Sequence, residues 1–229
     1  MSIALDWLTA LRDKEPTEED IDFARFCLDD EEPLVRCEAV WLIGRSDYFN
    51  EKDIEKLLLM SDDEEVIVRT EVYDWLSVHG DEKVVEKLKD MIISEDDIVG
   101  RAYAISAWAD TRVSIADENY AFEEETGFIR SIRDCELIQE SEHTQLACAY
   151  ALYSFKAPGA LDQILSFLKS EDYHIQCSAI NDLMRVLRRE DAPEVRMALS
   201  QLMETEPCRA VSSLIDEFFE EYKEEDSEQ

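Results

Sequence analysis

The sequence predicts an all-helical solenoid of about six repeats, and three observations carry that prediction. First, a short acidic turn followed by a mostly apolar stretch and an arginine recurs along the chain, as DDEEPLVR at 29–36, DDEEVIVR at 62–69 and EDDIVGR at 95–101. Second, the three arginines, Arg36, Arg69 and Arg101, stand 33 and 32 residues apart. Third, only five Gly and five Pro occur in 229 residues, which gives little support to turn-rich β architectures.

Taken in order, the chain opens on Ser2 ahead of an apolar periodic stretch. Thr17 precedes Asp20 with capping-box spacing, and both places read as helix starts. The segments 21–28, 54–60, 84–92, 164–168 and 195–203 are amphipathic and lie before the anchors, so each unit reads as a pair of antiparallel helices. Gln145, Gln176 and Arg209 continue the anchor series, spaced 31 and 33 residues from one another. Three positions past the six anchors stand Ala39, Val72, Ala104, Cys148, Ala179 and Ser212, small or β-branched as close helix contact demands. Seven positions past the first five stand Ile43, Leu76, Trp108, Leu152 and Leu183, while the sixth has Asp216, as a water-facing terminal repeat would. Gly80 and Gly159 are expected to end helices. The stride breaks once, between Arg101 and Gln145, and the extra residues fall around 113–127, where Tyr120 and Phe122 sit among acids. A single repeat domain over 1–222 and an acidic tail at 223–229 are expected.

This pattern resembles the HEAT-repeat family, in which an acidic residue lies six positions before an arginine at the start of the inner helix. Asp30 with Arg36, Asp63 with Arg69 and Glu95 with Arg101 carry that spacing. The resemblance implies a right-handed α-solenoid of about six HEAT-like helix pairs, with these residues forming a structural ladder of ion pairs between neighbouring repeats. Gln139 and Ser170 replace the acid in the second half, and Gln145 and Gln176 replace the arginine.

The formal net charge of −33 disfavours nucleic acid and anionic membranes as partners. The dense basic group Arg185, Arg188 and Arg189 reads as a solvated helix end. The amino terminus lacks a positive stretch before its apolar one, and no run approaches a membrane span, so a cytoplasmic protein is expected. Six scattered cysteines without a CxxC pair point to reduced thiols rather than disulfides or zinc, and four of them, on inner helices, read as small apolar fillers. His79, His143 and His174 have no nucleophile or base at a telling spacing, and phosphate-binding glycine loops are absent. The sequence thus predicts no catalytic residue, cofactor or metal, and a chain that is not an enzyme.

For partner binding the sequence points to two surfaces. The acidic turns, such as Asp62, Asp63, Glu64 and Glu65, are expected to stack along one edge about 10 Å apart. Two, five and nine positions past the anchors, Glu38, Trp41, Glu71, Asp74, Tyr103, Asp110 and Tyr150, with Ser106 and Asn181, are expected on the inner-helix face. Core and surface remain equal alternatives for Trp41 and Tyr150. The expectation is a non-catalytic, monomeric binding protein, an immunity-type inhibitor of a basic toxin or nuclease. A scaffold or assembly factor and a HEAT-fold enzyme such as a lyase stand as alternatives.

Overall fold

A computed structural model describes residues 2–222; the tail expected at 223–229 lies outside them. Among the described residues there is no strand. The helices are α1 (Ile3–Thr9), α2 (Glu18–Cys27), α3 (Pro33–Gly44), α4 (Glu51–Met60), α5 (Val66–His79), α6 (Glu82–Ser94) and α7 (Ile98–Ile115). They continue with α8 (Glu123–Arg133), α9 (Glu136–Gln139), α10 (Glu142–Ser154), α11 (Ala160–Phe167), α12 (Tyr173–Val186), α13 (Ala192–Met203) and α14 (Arg209–Glu221). Two compact units divide the chain between Ala121 and Phe122, within the segment where the repeat loses its stride.

In the first unit α1, α3, α5 and α7 pack side by side as an inner layer, and α2, α4 and α6 back them as the outer layer. Local chemistry sets each start. Thr17 and Asp20 close the expected capping box on α2, Asn50 and Asp53 close another on α4, and Asp81 and Asp97 cap α6 and α7. Pro33 opens α3, where its missing N–H costs nothing. Gly80 ends α5 as expected. The column three past each anchor, Ala39, Val72 and Ala104, is fully buried, and so are Ile43, Leu76 and Trp108 four positions on.

The second unit repeats the plan with α10, α12 and α14 as inner helices, paired with α8, α11 and α13. Cys148, Ala179, Leu152 and Leu183 fill the same two columns. The sixth repeat corrects the register. Ser212 is half-exposed and Ile215 is buried in its place, so the anchor position is held by Ser212, three residues after Arg209. Ser212 is the fourth residue of α14, the position that Arg36, Arg69, Arg101, Gln145 and Gln176 hold in their own helices. Gly159 is corrected as well: it begins α11 rather than ending α10, at φ 76, a left-handed conformation that glycine adopts without strain. Cys27 and Cys148 are buried fillers, whereas Cys208 is exposed at the start of α14, and all six cysteines are free.

Candidate functional site

The anchors share a local bond, and Arg36 and Arg69 add a second one between repeats. Arg36 Nη1 donates to the backbone carbonyl of Asp30 at 2.9 Å, and Arg69 Nη1 to that of Asp63 at 2.8 Å. Arg101 donates to the carbonyl of Glu95. Gln145 and Gln176 make the same bond through their amides, to Gln139 and Ser170, each at 2.9 Å. The anchor therefore ties the turn six residues upstream to its own helix, and glutamine does this as well as arginine.

What glutamine cannot do is reach the next repeat with a charge. Arg36 pairs with both oxygens of Asp63 at 2.8 and 2.7 Å, and Arg69 with both of Glu95 at 2.8 and 2.5 Å. Glu95 also accepts from the Tyr73 hydroxyl at 2.9 Å and from the backbone N–H of Asp97 at 3.1 Å. Burial pushes its pKa up, but these hydrogen bonds and the Arg69 charge outweigh that and hold it below the ordinary carboxylate value.

The acidic edge is partly neutralised from within. Asp63 is spent on Arg36, Asp62 accepts from Lys87 and Asp29 from Lys56, the last two both at 2.6 Å. Glu64 and Glu65 are exposed. Sequence reasoning missed these lysines, and also the outer-layer pair in which Arg25 grips Asp53 through two bonds of 2.9 Å.

On the inner face of the first unit, several of the predicted residues come together. Glu38 is paired with Arg12 of the segment after α1, and Trp41 lies under both Arg12 and Arg45, at 5.5 and 4.7 Å from ring centroid to guanidinium. Glu71 accepts from the Trp75 indole at 2.9 Å, and the Cys37 thiol lies 4.0 Å from its other oxygen. Trp75 can lie flat on α3 because residue 44 is glycine; a Cβ there would stand 2.0 Å from the ring. His79 completes the wall, stacked 3.8 Å from Phe49 and bonded to the Gly44 carbonyl at 2.9 Å. Burial raises the Glu71 pKa and the Glu38 charge adds to it, against the Trp75 bond and Arg12. Burial and the same two carboxylates push Cys37 up to about 12, so it stays a thiol.

Beside this cluster runs an apolar row, Leu34, Ile67 and Val99, at the second position of α3, α5 and α7 and 47, 43 and 43% exposed. A groove of about 460 Å³ between α1 and α3 meets it, lined by Leu5, Thr9, Leu34 and Glu38. Asp74 and Tyr103 are exposed on the inner helices and Asp110 is half-buried. Tyr150 is a correction to the surface reading. It is fully buried, with Arg185 lying over its ring at 4.8 Å and donating to its hydroxyl at 3.0 Å. Tyr120 and Phe122 are also engaged within their own units, by Arg112 and by Phe155 respectively. No helix among the described residues is long and apolar enough to cross a membrane.

Residues 21–109 match the family model for HEAT repeats. Comparison with curated proteins gives no match. Among solved structures, the fold recurs in the complex of CpcE and CpcF of phycocyanin lyase from Nostoc sp. PCC7120, at a TM-score of 0.59 and 15% identity, with 95% of each chain covered. This likeness overturns two expectations together. The immunity-type inhibitor of a basic toxin, and with it the expectation that the chain is not an enzyme, are both withdrawn on this finding. Composition misled here because net charge reports on what a surface repels and attracts, and is silent on chemistry carried by a few residues of the fold.

Proposed function

From the premise that the chain is built of HEAT repeats, we propose that it is a HEAT-fold lyase-type subunit that works with a second protein and holds a protein substrate on the inner-helix face of its first unit. The observation that carries this reading is the end-to-end likeness of the fold to a chain from a two-protein lyase complex.

The inner face supports it chemically. A lyase makes or breaks a bond by addition or elimination, and one group must take a proton while another returns it. Glu71 is suited to that exchange, since its raised pKa brings the two protonation states closer in free energy near neutrality. Trp75 fixes its orientation, and Trp41 with its two arginines forms a flat amphipathic floor beside it. The apolar row of Leu34, Ile67 and Val99 gives a polypeptide substrate something to bury, and the exposed Glu64 and Glu65 favour substrates that carry lysine and arginine.

Incubation of the chain with phycocyanin, with and without the second protein that co-purifies with it, tests the reading through the intact mass of phycocyanin. A mass change that needs this chain, and that slows by about 10²-fold or more in Glu71→Gln, is the expected result. An unchanged mass in every combination would refute a lyase role on this substrate.

A further inference from the structure

Three residues hold one place in the outer layer of the first unit. Phe26, Leu59 and Ile93 are each the penultimate residue of their helix, α2, α4 and α6, and they are 81, 73 and 57% exposed. Leu59 has a repeat on either side and is still open to water, so stacking itself leaves this position uncovered. One exposed apolar side chain is ordinary on any surface, but three at a single structural position form a row that the fold does not use. Three residues after each stands an exposed aspartate, at Asp29, Asp62 and Asp96.

The joint beside Leu59 is grooved. One groove, of about 560 Å³, lies between the turns at 29–31 and 62–64 with Leu59 on its wall. Another, of about 660 Å³, lies between α2 and α4, and the two share Leu28, Asp29 and Lys56. Lys56 bridges to Asp29 at 2.6 Å, and Lys87 bridges to Asp62 at the same distance at the next joint. Both aspartates stay largely exposed, and pairs so open to water contribute little, so an incoming cation can take the place of the lysine. Asp63 is spent on Arg36, whereas Glu31 and Glu64 stand exposed on the groove wall and keep it acidic.

We infer that this outer row is the dock of the second protein, and that it receives an amphipathic helix whose apolar face covers Phe26, Leu59 and Ile93 and whose lysines or arginines meet the carboxylates around them. The inference rests on the second-protein part of the proposed function and puts that contact on the outer layer, away from the inner-helix face assigned to substrate. A bound strand would need a sheet edge to extend, and there is no strand among the described residues. A polyproline segment docks on aromatic-lined grooves, and the walls of these two are aliphatic and charged. A helix laid along its apolar face is the mode that the row fits, and a basic flank complements the acidic rim. A second copy of this chain, with its net charge of −33, would be repelled.

The test measures two things on the whole chain: the affinity for a synthetic amphipathic helix of Leu and Lys, by fluorescence anisotropy, and the recovery of the protein that co-purifies from native cells. Leu59→Ser combined with Ile93→Ser removes apolar surface at exposed positions without altering charge, and a melting curve checks that the fold is intact. Val78→Ser, at an exposed apolar position on α5 outside the row, is the control. The double variant should hold both the peptide and the co-purifying protein about tenfold or more weakly, and the control should match the wild type. Equal binding of the peptide by the double variant would mean that charge alone attracts it and would overturn the inference. Equal affinity for a peptide with its leucines scattered around the helix, or with Glu in place of Lys, would do the same. Undiminished recovery of the second protein by the double variant overturns the dock while the partner reading stands. If nothing co-purifies with the wild type, both fall.

Discussion

Replacing Arg69 with Met isolates the contribution of one ladder rung. Arg69 and Glu95 are joined by two short bonds, and the Glu95 side chain has no exposure to solvent. Removing one partner of a buried pair costs about 3–5 kcal/mol. Glu95 keeps the Tyr73 hydroxyl and the Asp97 N–H, and hydrogen bonds to a charged group contribute about 1.5–3 kcal/mol each, so the cost should fall near the lower figure, about 3 kcal/mol. The pH dependence follows from the depressed pKa of Glu95. A carboxylate held below its ordinary value contributes stability that is present above that ordinary value and lost as pH falls through the folded one. The cost of Arg69→Met is therefore largest near pH 8 and shrinks toward pH 4, where Glu95 in the variant takes up a proton. All four tryptophans, Trp7, Trp41, Trp75 and Trp108, lie in the first unit, so their fluorescence during urea unfolding reports that unit alone. With a urea dependence of about 1–3 kcal/mol per molar, the midpoint should drop by roughly 1–3 M. The double change Arg69→Met with Glu95→Met should be milder than Arg69→Met alone, since no charge is left buried. A midpoint unmoved at both pH values, or a double variant as unstable as the summed single ones, would refute the rung.

Glu71→Gln should raise the melting temperature at pH 8, because a carboxylate with a raised pKa opposes folding while ionised, and the amide still accepts from Trp75. The gap should close as pH falls toward the ordinary carboxylate range, and a gap independent of pH across melts from pH 4 to 8 would disprove the assignment. Gly44→Ala should destabilise the first unit by about 1–3 kcal/mol and shift tryptophan emission, since its Cβ would meet the Trp75 ring at 2.0 Å; an unaltered spectrum would show that the ring has another resting place. With a net charge of −33, the melting temperature should rise between low and moderate sodium chloride, and a fall would mean that the internal ion pairs outweigh the repulsion.

The repeat period was legible because each anchor does the same local work. Arg36, Arg69, Arg101, Gln145 and Gln176 all close the turn six residues upstream, so their spacing survives even where arginine becomes glutamine. The sixth anchor was not legible, since Arg209 imitates the residue type but opens α14, while the anchor place, fourth in the helix, is held by Ser212. In the candidate site, Glu38, Trp41 and Glu71 followed from register alone. Their companions Arg12 and Arg45, and the seating of Trp75 on Gly44, arise from packing between helices, which a one-dimensional pattern does not contain. Tyr150 shares the register of Trp41 yet is buried beneath Arg185, a companion supplied by the neighbouring helix and invisible to register alone.

The division of labour at the anchors also has a mechanical side. A glutamine anchor closes its own turn and stops there, whereas an arginine anchor adds a charged crossbar to the next repeat. Bending the first unit therefore stretches stiff crossbars at two successive joints, while flexing of the second is resisted at its glutamine joints by side-chain packing and weaker bonds. Flexed, the first unit should resist a change of angle at those two joints more than the second does at its glutamine joints.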